Sequence, residues 1–184
     1  MEPLPAQTQV TNYAGASPES ALAKPSCLIV VDVQKGFINP ETEHIPSLVE
    51  VAQARYMHVV ATRFYNPPPE SLYRKIIHWH RFSPGSEDVD FAFSVRPDAL
   101  VIDKPRYSCV DEFLLATLRR WNVTQADVCG IDTDICVTKT AVDLFEAGIV
   151  PRVLSRLSAS CRDSELHDAA LQILRRYIGA AQEI

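Results

Sequence analysis

Five short runs of apolar residues recur along the chain, and stretches with helical spacing of apolar positions follow several of them. The runs are CLIVVDV (27–33), HVVAT (58–62), ALVID (99–103), DVCGI (127–131) and PRVLS (151–155). They are continuous rather than alternating and rich in β-branched residues, which indicates strands that are covered on both faces. Strands of this kind are typical of a parallel sheet.

Three amphipathic helices are predicted from apolar residues at helical spacing. The first spans about residues 109–121, and Ser108 and Asp111 are predicted to form a capping box at its start. The second begins near Cys136, and the third covers residues 164–178. The positions predicted to face the core are Phe113, Leu114, Leu118 and Trp121 in the first helix, Val137, Ala141, Leu144 and Phe145 in the second, and Leu166, Ala170, Ile173, Leu174 and Tyr177 in the third.

The alternation of strands and helices predicts a doubly wound α/β fold, Rossmann-like, with a mostly parallel sheet between two helical layers in an α/β/α arrangement. Such sheets bind ligands beyond the carboxyl ends of their strands. Asp32, Lys104 and the segment 131–136 all lie at the ends of predicted strands. We therefore expect them to meet at one edge of the sheet.

Two segments depart from this alternation. Residues 1–25 are rich in Pro, Ala, Ser and Thr, and they are predicted to be a loosely structured N-terminal arm before a single domain of residues 26–184. Residues 64–98 contain three consecutive prolines and several aromatic residues. This segment is too long for a simple connection, so we expect it to supply a short helix and a loop over the site.

Composition narrows the classes of function. The chain has 184 residues, enough for one domain with a full core, and a net charge of -5 without a run of basic residues. This pattern predicts no nucleic-acid partner and no binding to an anionic membrane. The five cysteines are odd in number and form no Cys-x-x-Cys pair, which argues against a disulfide framework and favours a reducing, cytoplasmic compartment. Neither a signal peptide nor a membrane-spanning run of apolar residues is recognisable.

Cys136 is the candidate nucleophile. A free thiol titrates near ~8.5 and becomes reactive beside a helix N-terminus, a cation or a base. Cys136 begins a predicted helix, Lys104 can supply the cation, and Asp32 can take the thiol proton. From the residues alone, an inert core cysteine, a capping aspartate and a solvated lysine remain open alternatives. The other cysteines are predicted to be inert core residues: Cys27, Cys109, Cys129 and Cys161.

Three segments resemble the isochorismatase-like cysteine hydrolases, a family that includes nicotinamidases and carbamoyl-amide hydrolases. LIVVDVQKGF (28–37) resembles the signature that carries the catalytic acid, and VIDKPRYSCVDEF (101–113) resembles the segment of the catalytic lysine. VCGIDTDICVTKTAVDLFEAG (128–148) is similar to the nucleophile segment. The matches occur in the family's order and cover about residues 26 to 180.

The resemblance implies a catalytic triad of Asp32, Lys104 and Cys136 that hydrolyses a small amide or ureido C–N bond through a thioester, without a cofactor. It also implies a cis peptide between Ile131 and Asp132, whose N–H, with that of Cys136, would hold the oxyanion. The residues expected to support these loops are Gln34, Ser108, Thr133 and Asp134. Assembly into a homo-oligomer, a dimer or a tetramer, is expected from the same resemblance.

The resemblance does not determine which substrate class of the family this chain acts on. The family's nicotinamidases bind a metal through an Asp-x-His motif after the second strand, whereas residues 62–68 contain neither an acid nor a histidine, so we predict no metal site. The alternatives are a metal-dependent nicotinamidase, a thiol redox protein, or a non-catalytic binding or scaffold member of the fold. The candidate residues of the substrate pocket are Phe37, Arg63, Phe64, Tyr65, Trp79 and Tyr107.

Overall fold

A computed structural model describes residues 26–66 and 69–179. The predicted arm at residues 1–25 lies outside these residues, so the division into arm and domain stays a prediction. Within the described residues, five strands form one sheet: β1 Cys27–Val31, β2 His58–Phe64, β3 Leu100–Lys104, β4 Gln125–Ile131 and β5 Val150–Ala159. The same part of the chain contains five α-helices: α1 Ile45–Ala52, α2 Leu72–Lys75, α3 Glu112–Arg120, α4 Thr138–Glu146 and α5 Ser164–Ile178.

The sheet has the order β3-β2-β1-β4-β5, and every pair of neighbouring strands is parallel. Along the chain, β2 and β3 therefore follow on one side of β1, and β4 and β5 then follow on its other side. At such a switch point the connections leave the sheet in opposite directions, which opens a crevice at the carboxyl ends of the two central strands. This arrangement confirms the predicted doubly wound fold.

Apolar residues on both faces of the sheet explain the continuous apolar runs. In β1, Ile29 and Val31 pack in the core cluster with α3, α4 and α5, while Leu28 and Val30 pack in the cluster with α1 on the opposite face. All five residues of β1 are buried. The central strand is therefore shielded from water on both sides, as the predicted three-layer architecture requires.

The start of α3 corrects one prediction. The N-cap residue is Asp111, whose Oδ1 accepts a hydrogen bond from the N–H of Leu114 at 2.9 Å. Ser108 lies in the turn before the helix, where its Oγ accepts from the N–H of Val110 at 3.1 Å. The predicted capping box is therefore wrong, because a single aspartate caps the helix on its own.

Several residues predicted to face the core are exposed instead. The exposed set is Phe113, Phe145, Ile173 and Tyr177. In α5 the buried residues are Ala170, Leu171 and Leu174. Each helix packs on the sheet through a narrower stripe than the apolar spacing suggests, so apolar residues at the margin of the stripe remain in contact with water.

The segment between β2 and β3 supplies α2 and a 3-10 turn at Glu87–Val89, joined by irregular loops. This agrees with the expected short helix and loop. Within the described ranges, no helix is long and apolar enough to cross a membrane.

Candidate active site

Asp32 and Lys104 meet at the carboxyl edge of the sheet. Asp32 follows β1 directly, and Lys104 is the last residue of β3, two strands away. The Nζ of Lys104 lies 2.6 Å from Oδ2 of Asp32, and the two side chains are 1% and 0% exposed. They form a buried ion pair, whose geometry must be good to offset the loss of hydration.

Lys104 uses all three of its N–H donors. Besides Asp32, its Nζ donates to the carbonyl oxygens of Arg106 at 2.9 Å and Tyr107 at 2.8 Å. Burial lowers the pKa of Lys104, but the attraction of Asp32 and Cys136 outweighs it, so that the pKa lies above its ordinary value. Lys104 is therefore a fixed positive charge at neutral pH.

Thr62 of β2 holds the other carboxylate oxygen of Asp32. Its Oγ1 donates to Oδ1 at 2.6 Å and accepts from the backbone N–H of Asp32 at 3.2 Å. The backbone of Asp32 has a φ of 51°, in the left-handed region that few non-glycine residues adopt. Because β2 lies between β1 and β3, Thr62 is well placed to fix the aspartate, a role that the sequence analysis missed.

Cys136 lies in a turn of π-helix that precedes α4. Residues Thr133–Val137 form this turn, and the N–H of Val137 donates to the carbonyl of Asp132 at 3.0 Å, five residues back. Wide turns of this type occur often at functional sites, since they re-aim a side chain. The turn accommodates Cys136 at the floor of a cavity, where it is 5% exposed.

The strand before this turn requires a glycine. Gly130 has a φ of +124°, and a Cβ at this position would lie 2.0 Å from the carbonyl oxygen of Val31 in β1. Close approach of the two strands therefore excludes every other residue. The peptide bond between Ile131 and Asp132 is cis, at the position that the family resemblance implies.

Burial raises the pKa of the Cys136 thiol well above its ordinary value, and the nearby charge and hydrogen bond of Asp32 raise it further. The positive charge of Lys104 lowers the pKa of Cys136 but does not cancel these effects. In the free protein Cys136 is thus a protonated thiol at neutral pH. Asp32 is close enough to receive that proton.

A small aromatic cavity lies in front of Cys136. Its volume is about 10 Å³, room for about one water molecule. The residues around it are Phe37, Phe64, Tyr73, Trp79, Tyr107, Asp132, Ile135 and Cys136. Phe37, Phe64, Trp79 and Tyr107 thus lie where the pocket prediction expected them, whereas Tyr73 and Ile135 were not foreseen.

Two residues predicted for the pocket lie elsewhere. Arg63 forms a two-pronged ion pair with Asp103, with Nε–Oδ1 at 2.7 Å and Nη2–Oδ2 at 2.9 Å. Together with Tyr65 it lines a separate surface groove rather than the Cys136 cavity. Arg63 and Phe64 are successive residues of β2, so their side chains point to opposite faces of the sheet, and Phe64 is the one that lines the Cys136 cavity.

The residues predicted to support the site make hydrogen bonds around it. Gln34 is fully buried and bonds both backbone groups of Phe64, donating to the carbonyl at 2.9 Å and accepting from the N–H at 2.7 Å. In the turn that contains Cys136, Oγ1 of Thr133 lies 2.8 Å from Nδ1 of His167, and Asp134 accepts a hydrogen bond from Ser160. These bonds tie the cavity wall and the Cys136 turn to neighbouring elements.

Asp132 carries a second carboxyl group at the cavity in front of Cys136. Its Oδ1 accepts from the N–H of Cys161 at 2.6 Å, and its Oδ2 lies 3.3 Å from the Cys161 thiol. Burial raises the pKa of Asp132 to about 6, although the bonds from Cys161 oppose this. Cys161 is partly exposed and bonds to Asp132, whereas Cys27, Cys109 and Cys129 are buried, as expected of core cysteines.

The described residues offer no complete donor set for a metal ion. Across residues 26–66 and 69–179, no group of three His, Cys, Asp or Glu side chains is placed to hold a metal ion. His78 and His80 are both exposed. The residues described therefore do not fit a metal centre.

Comparison with known proteins places this geometry in context. Residues 26–183 match the family profile described as Isochorismatase domain. The chain is also 31% identical over 174 residues to a nicotinamidase/pyrazinamidase of Mycobacterium tuberculosis, with 80% of this chain and 93% of that protein covered.

Solved structures share the fold. An isochorismatase-like hydrolase from Alkaliphilus metalliredigens has a TM-score of 0.75 at 20% identity, covering 84% of this chain and 93% of that one. The pyrazinamidase of Pyrococcus horikoshii in complex with zinc has a TM-score of 0.74 at 23% identity, covering 87% and 99%. An N-carbamoylsarcosine amidase from Thermoplasma acidophilum has a TM-score of 0.72 at 22% identity, covering 86% and 95%.

Proposed function

The chain belongs to the isochorismatase family, and from that premise we propose that it hydrolyses the C–N bond of a small neutral amide through a thioester on Cys136. The observation that carries the proposal is the convergence of Asp32 after β1, Lys104 at the end of β3 and Cys136 in the turn after β4. The Asp32–Lys104 ion pair lies beside the Cys136 thiol, at the floor of an aromatic cavity. The M. tuberculosis relative, by its name an amidase, supports the same reaction class.

The raised pKa of the Cys136 thiol determines the first step. Because the resting thiol is protonated, Asp32 takes the proton as Sγ attacks the amide carbon. The S–C bond forms, and the carbonyl becomes an oxyanion that the N–H groups of Asp132 and Cys136 stabilise. Lys104 keeps its charge throughout and compensates the negative charge that passes between Asp32 and the thiol.

The second half of the reaction returns the proton. Protonated Asp32 gives its proton to the leaving nitrogen as the C–N bond breaks, which leaves the acyl group on Sγ and a free amine. Asp32 then accepts a proton from water as the hydroxide attacks the thioester. The S–C bond breaks, the carboxylic acid leaves, and the proton goes back from Asp32 to the Cys136 thiolate.

The cavity favours an uncharged substrate. None of its lining residues in the described part of the chain is a lysine, an arginine or a histidine. Lys104 lies behind the cavity and has its three donors occupied by Asp32 and two carbonyl groups. A substrate carboxylate would therefore lose its hydration without a partner, which costs several kcal/mol or about a thousandfold in binding.

The test is ammonia release from a panel of small amides and ureides, each with and without a chelator. The panel contains aryl carboxamides, aliphatic amides and carbamoyl amino acids, and it compares the wild type with Cys136→Ser and Asp32→Asn. We expect chelator-insensitive turnover of neutral amides that both substitutions reduce by about three orders of magnitude or more. Turnover that Cys136→Ser retains would exclude the thioester, and turnover that the chelator abolishes would instead favour a metal-dependent amidase.

A further inference from the structure

The turn that contains Cys136 has a buried hydroxyl group whose partner comes from another element. Thr133 is fully buried, and its Oγ1 lies 2.8 Å from Nδ1 of His167 in α5. Among the described residues, no other group forms a hydrogen bond with this hydroxyl. A buried polar group that loses its partner is costly, so the position of Thr133 depends on that of His167.

The helix α5 holds His167 in a fixed place. It begins after its N-cap Asp163, whose side chain accepts a hydrogen bond from the N–H of Leu166 at 2.8 Å. Ala170 and Leu171 are buried and follow His167 by three and four residues, so all three side chains lie on one face of the helix. The helix also lies directly against the turn that contains Cys136. The imidazole therefore extends the buried stripe of α5 to that turn.

The backbone of Thr133 is bonded as well as its side chain. Its carbonyl accepts a hydrogen bond from Oγ1 of Thr138, the first residue of α4, at 2.6 Å. Cys136 lies between these two residues, so a shift of Thr133 displaces the Cys136 thiol relative to Asp32, which Lys104 holds in place. A displacement of about 1 Å at reacting atoms can lower a rate by about a hundredfold.

His167 itself is not among the residues that line the aromatic cavity. It lines a separate surface cavity, together with His44 and Asp168. Burial lowers the pKa of His167 below its ordinary value, so the ring is neutral at neutral pH and Nδ1 can either donate a hydrogen bond to Thr133 or accept one from it. His167 can therefore influence the chemistry at Cys136 through Thr133, without touching the substrate.

We propose that His167 is a positioning residue, whose hydrogen bond to Thr133 fixes the turn so that the thiol of Cys136 faces Asp32 and the amide carbon. This inference rests on the proposed function and adds to it a residue from α5. The aromatic rings around the cavity come from other elements, such as Phe64 of β2. Loss of the bond should therefore lower kcat and leave KM nearly unchanged.

The kinetic experiment measures kcat and KM separately for the best amide of the panel, in the wild type, His167→Leu, His167→Asn and His44→Leu. Leucine removes both ring nitrogens, whereas the amide of asparagine carries a donor and an acceptor near the position of Nδ1. His44→Leu is the matched control, because His44 lines the same surface cavity and its imidazole makes no hydrogen bond to a described residue.

We expect His167→Leu to lower kcat by about tenfold to a hundredfold and to keep KM within about twofold of the wild type. His167→Asn should recover most of the lost kcat, and His44→Leu should change neither constant. A kcat of His167→Leu within about twofold of the wild type, a loss that appears in KM instead, or an equal loss in His167→Asn would overturn the proposal while leaving amide hydrolysis intact.

A double-mutant cycle tests whether the effect passes through Thr133. Thr133→Val removes the hydroxyl at the other end of the same bond. Because the two side chains share one interaction, the double variant Thr133→Val/His167→Leu should have a kcat close to that of the weaker single variant. If the two losses multiply, His167 acts on the site by another route and the proposal is overturned.

A measurement without substrate separates this proposal from the proposed function, which fails if the wild type turns over no amide. The rate at which iodoacetamide alkylates Cys136 is followed by mass spectrometry of the peptide that contains it, in variants whose circular dichroism matches that of the wild type. In the wild type Cys136 is 5% exposed, and burial raises the pKa of its thiol. A turn that is no longer fixed brings the thiol toward water, which lowers its pKa and raises the thiolate fraction.

Alkylation of Cys136 at neutral pH should therefore be faster in His167→Leu than in the wild type by about tenfold. The rates of His167→Asn and His44→Leu should equal that of the wild type. Equal alkylation rates in His167→Leu and the wild type, or an equal increase in His44→Leu, would overturn the proposal.

Discussion

Replacing Lys104 with methionine tests the buried ion pair of Asp32 and Lys104 beside Cys136. Methionine has a similar volume, so the change removes the charge and three hydrogen bonds with little loss of packing. Asp32, fully buried, keeps only Thr62 as a partner on its side chain in that variant, apart from the Cys136 thiol. Removing one member of a buried pair leaves an uncompensated charge and typically costs ~3–5 kcal/mol.

Urea unfolding followed by circular dichroism measures this cost. A loss of ~3–5 kcal/mol is a large part of the ~5–15 kcal/mol that stabilises most domains, so the transition should shift clearly. Lys35→Met is the matched control, because Lys35 pairs with Asp90 at 3.0 Å on the surface, and we expect no measurable change there. The double variant Asp32→Asn/Lys104→Met should recover part of the lost stability, since it buries no unpaired charge.

A cost below ~1 kcal/mol, or a cost equal to that of Lys35→Met, would refute the reasoning. It would mean that water compensates the charge of Asp32 when Lys104 is removed.

Three further predictions follow from the same geometry. Burial raises the pKa of Asp132 from 3.8 to about 6, so ionisation of Asp132 destabilises the folded state. The free energy of unfolding should be highest below pH ~4 and fall by up to ~3 kcal/mol as the pH rises through 6. Asp132→Asn should abolish that fall in urea unfolding at pH 4 and 7, and an unchanged pH dependence would assign it to another group. Gly130→Ala should lower the free energy of unfolding by more than ~4 kcal/mol or prevent soluble expression, because the added Cβ would clash with the carbonyl oxygen of Val31. A free energy of unfolding equal to that of the wild type would contradict the close approach of the strands. Arg63→Gln should keep kcat/KM within about twofold of the wild type, since Arg63 is paired with Asp103 outside the cavity. A loss of about tenfold or more in kcat/KM would show that Arg63 contributes to substrate binding.

The parallel sheet could be predicted from the sequence because a strand that is buried on both faces has a continuous apolar run rich in β-branched residues, such as Cys27–Val31. The carboxyl ends of such runs lie at one edge of the sheet, which was enough to bring Asp32 and Lys104 together. The role of Thr62 could not be predicted, because it depends on β2 lying between β1 and β3. That order follows from how whole strands and helices pack.

The positions of the pocket residues were predicted less well than those of Asp32, Lys104 and Cys136, for a geometric reason. Successive residues of a strand point to opposite faces of the sheet, so of Arg63 and Phe64 only one can line the cavity. The sequence alone does not decide which face carries the site. Tyr73 and Trp79 belong to the irregular segment after β2, where their position depends on buried polar contacts such as those of Asn66. Assembly into a homo-oligomer and a cytoplasmic location stay predictions.

Mass spectrometry of the protein quenched during turnover tests the central claim most directly. The reaction with an aryl carboxamide is quenched in acid within milliseconds, and the protein is digested and its peptides are sequenced by fragmentation. We predict an added mass equal to the acyl group minus one hydrogen on the peptide that contains Cys136, removable by hydroxylamine and absent from Cys136→Ala. Steady release of ammonia by the wild type with no adduct, together with activity that survives in Cys136→Ala, would contradict the account.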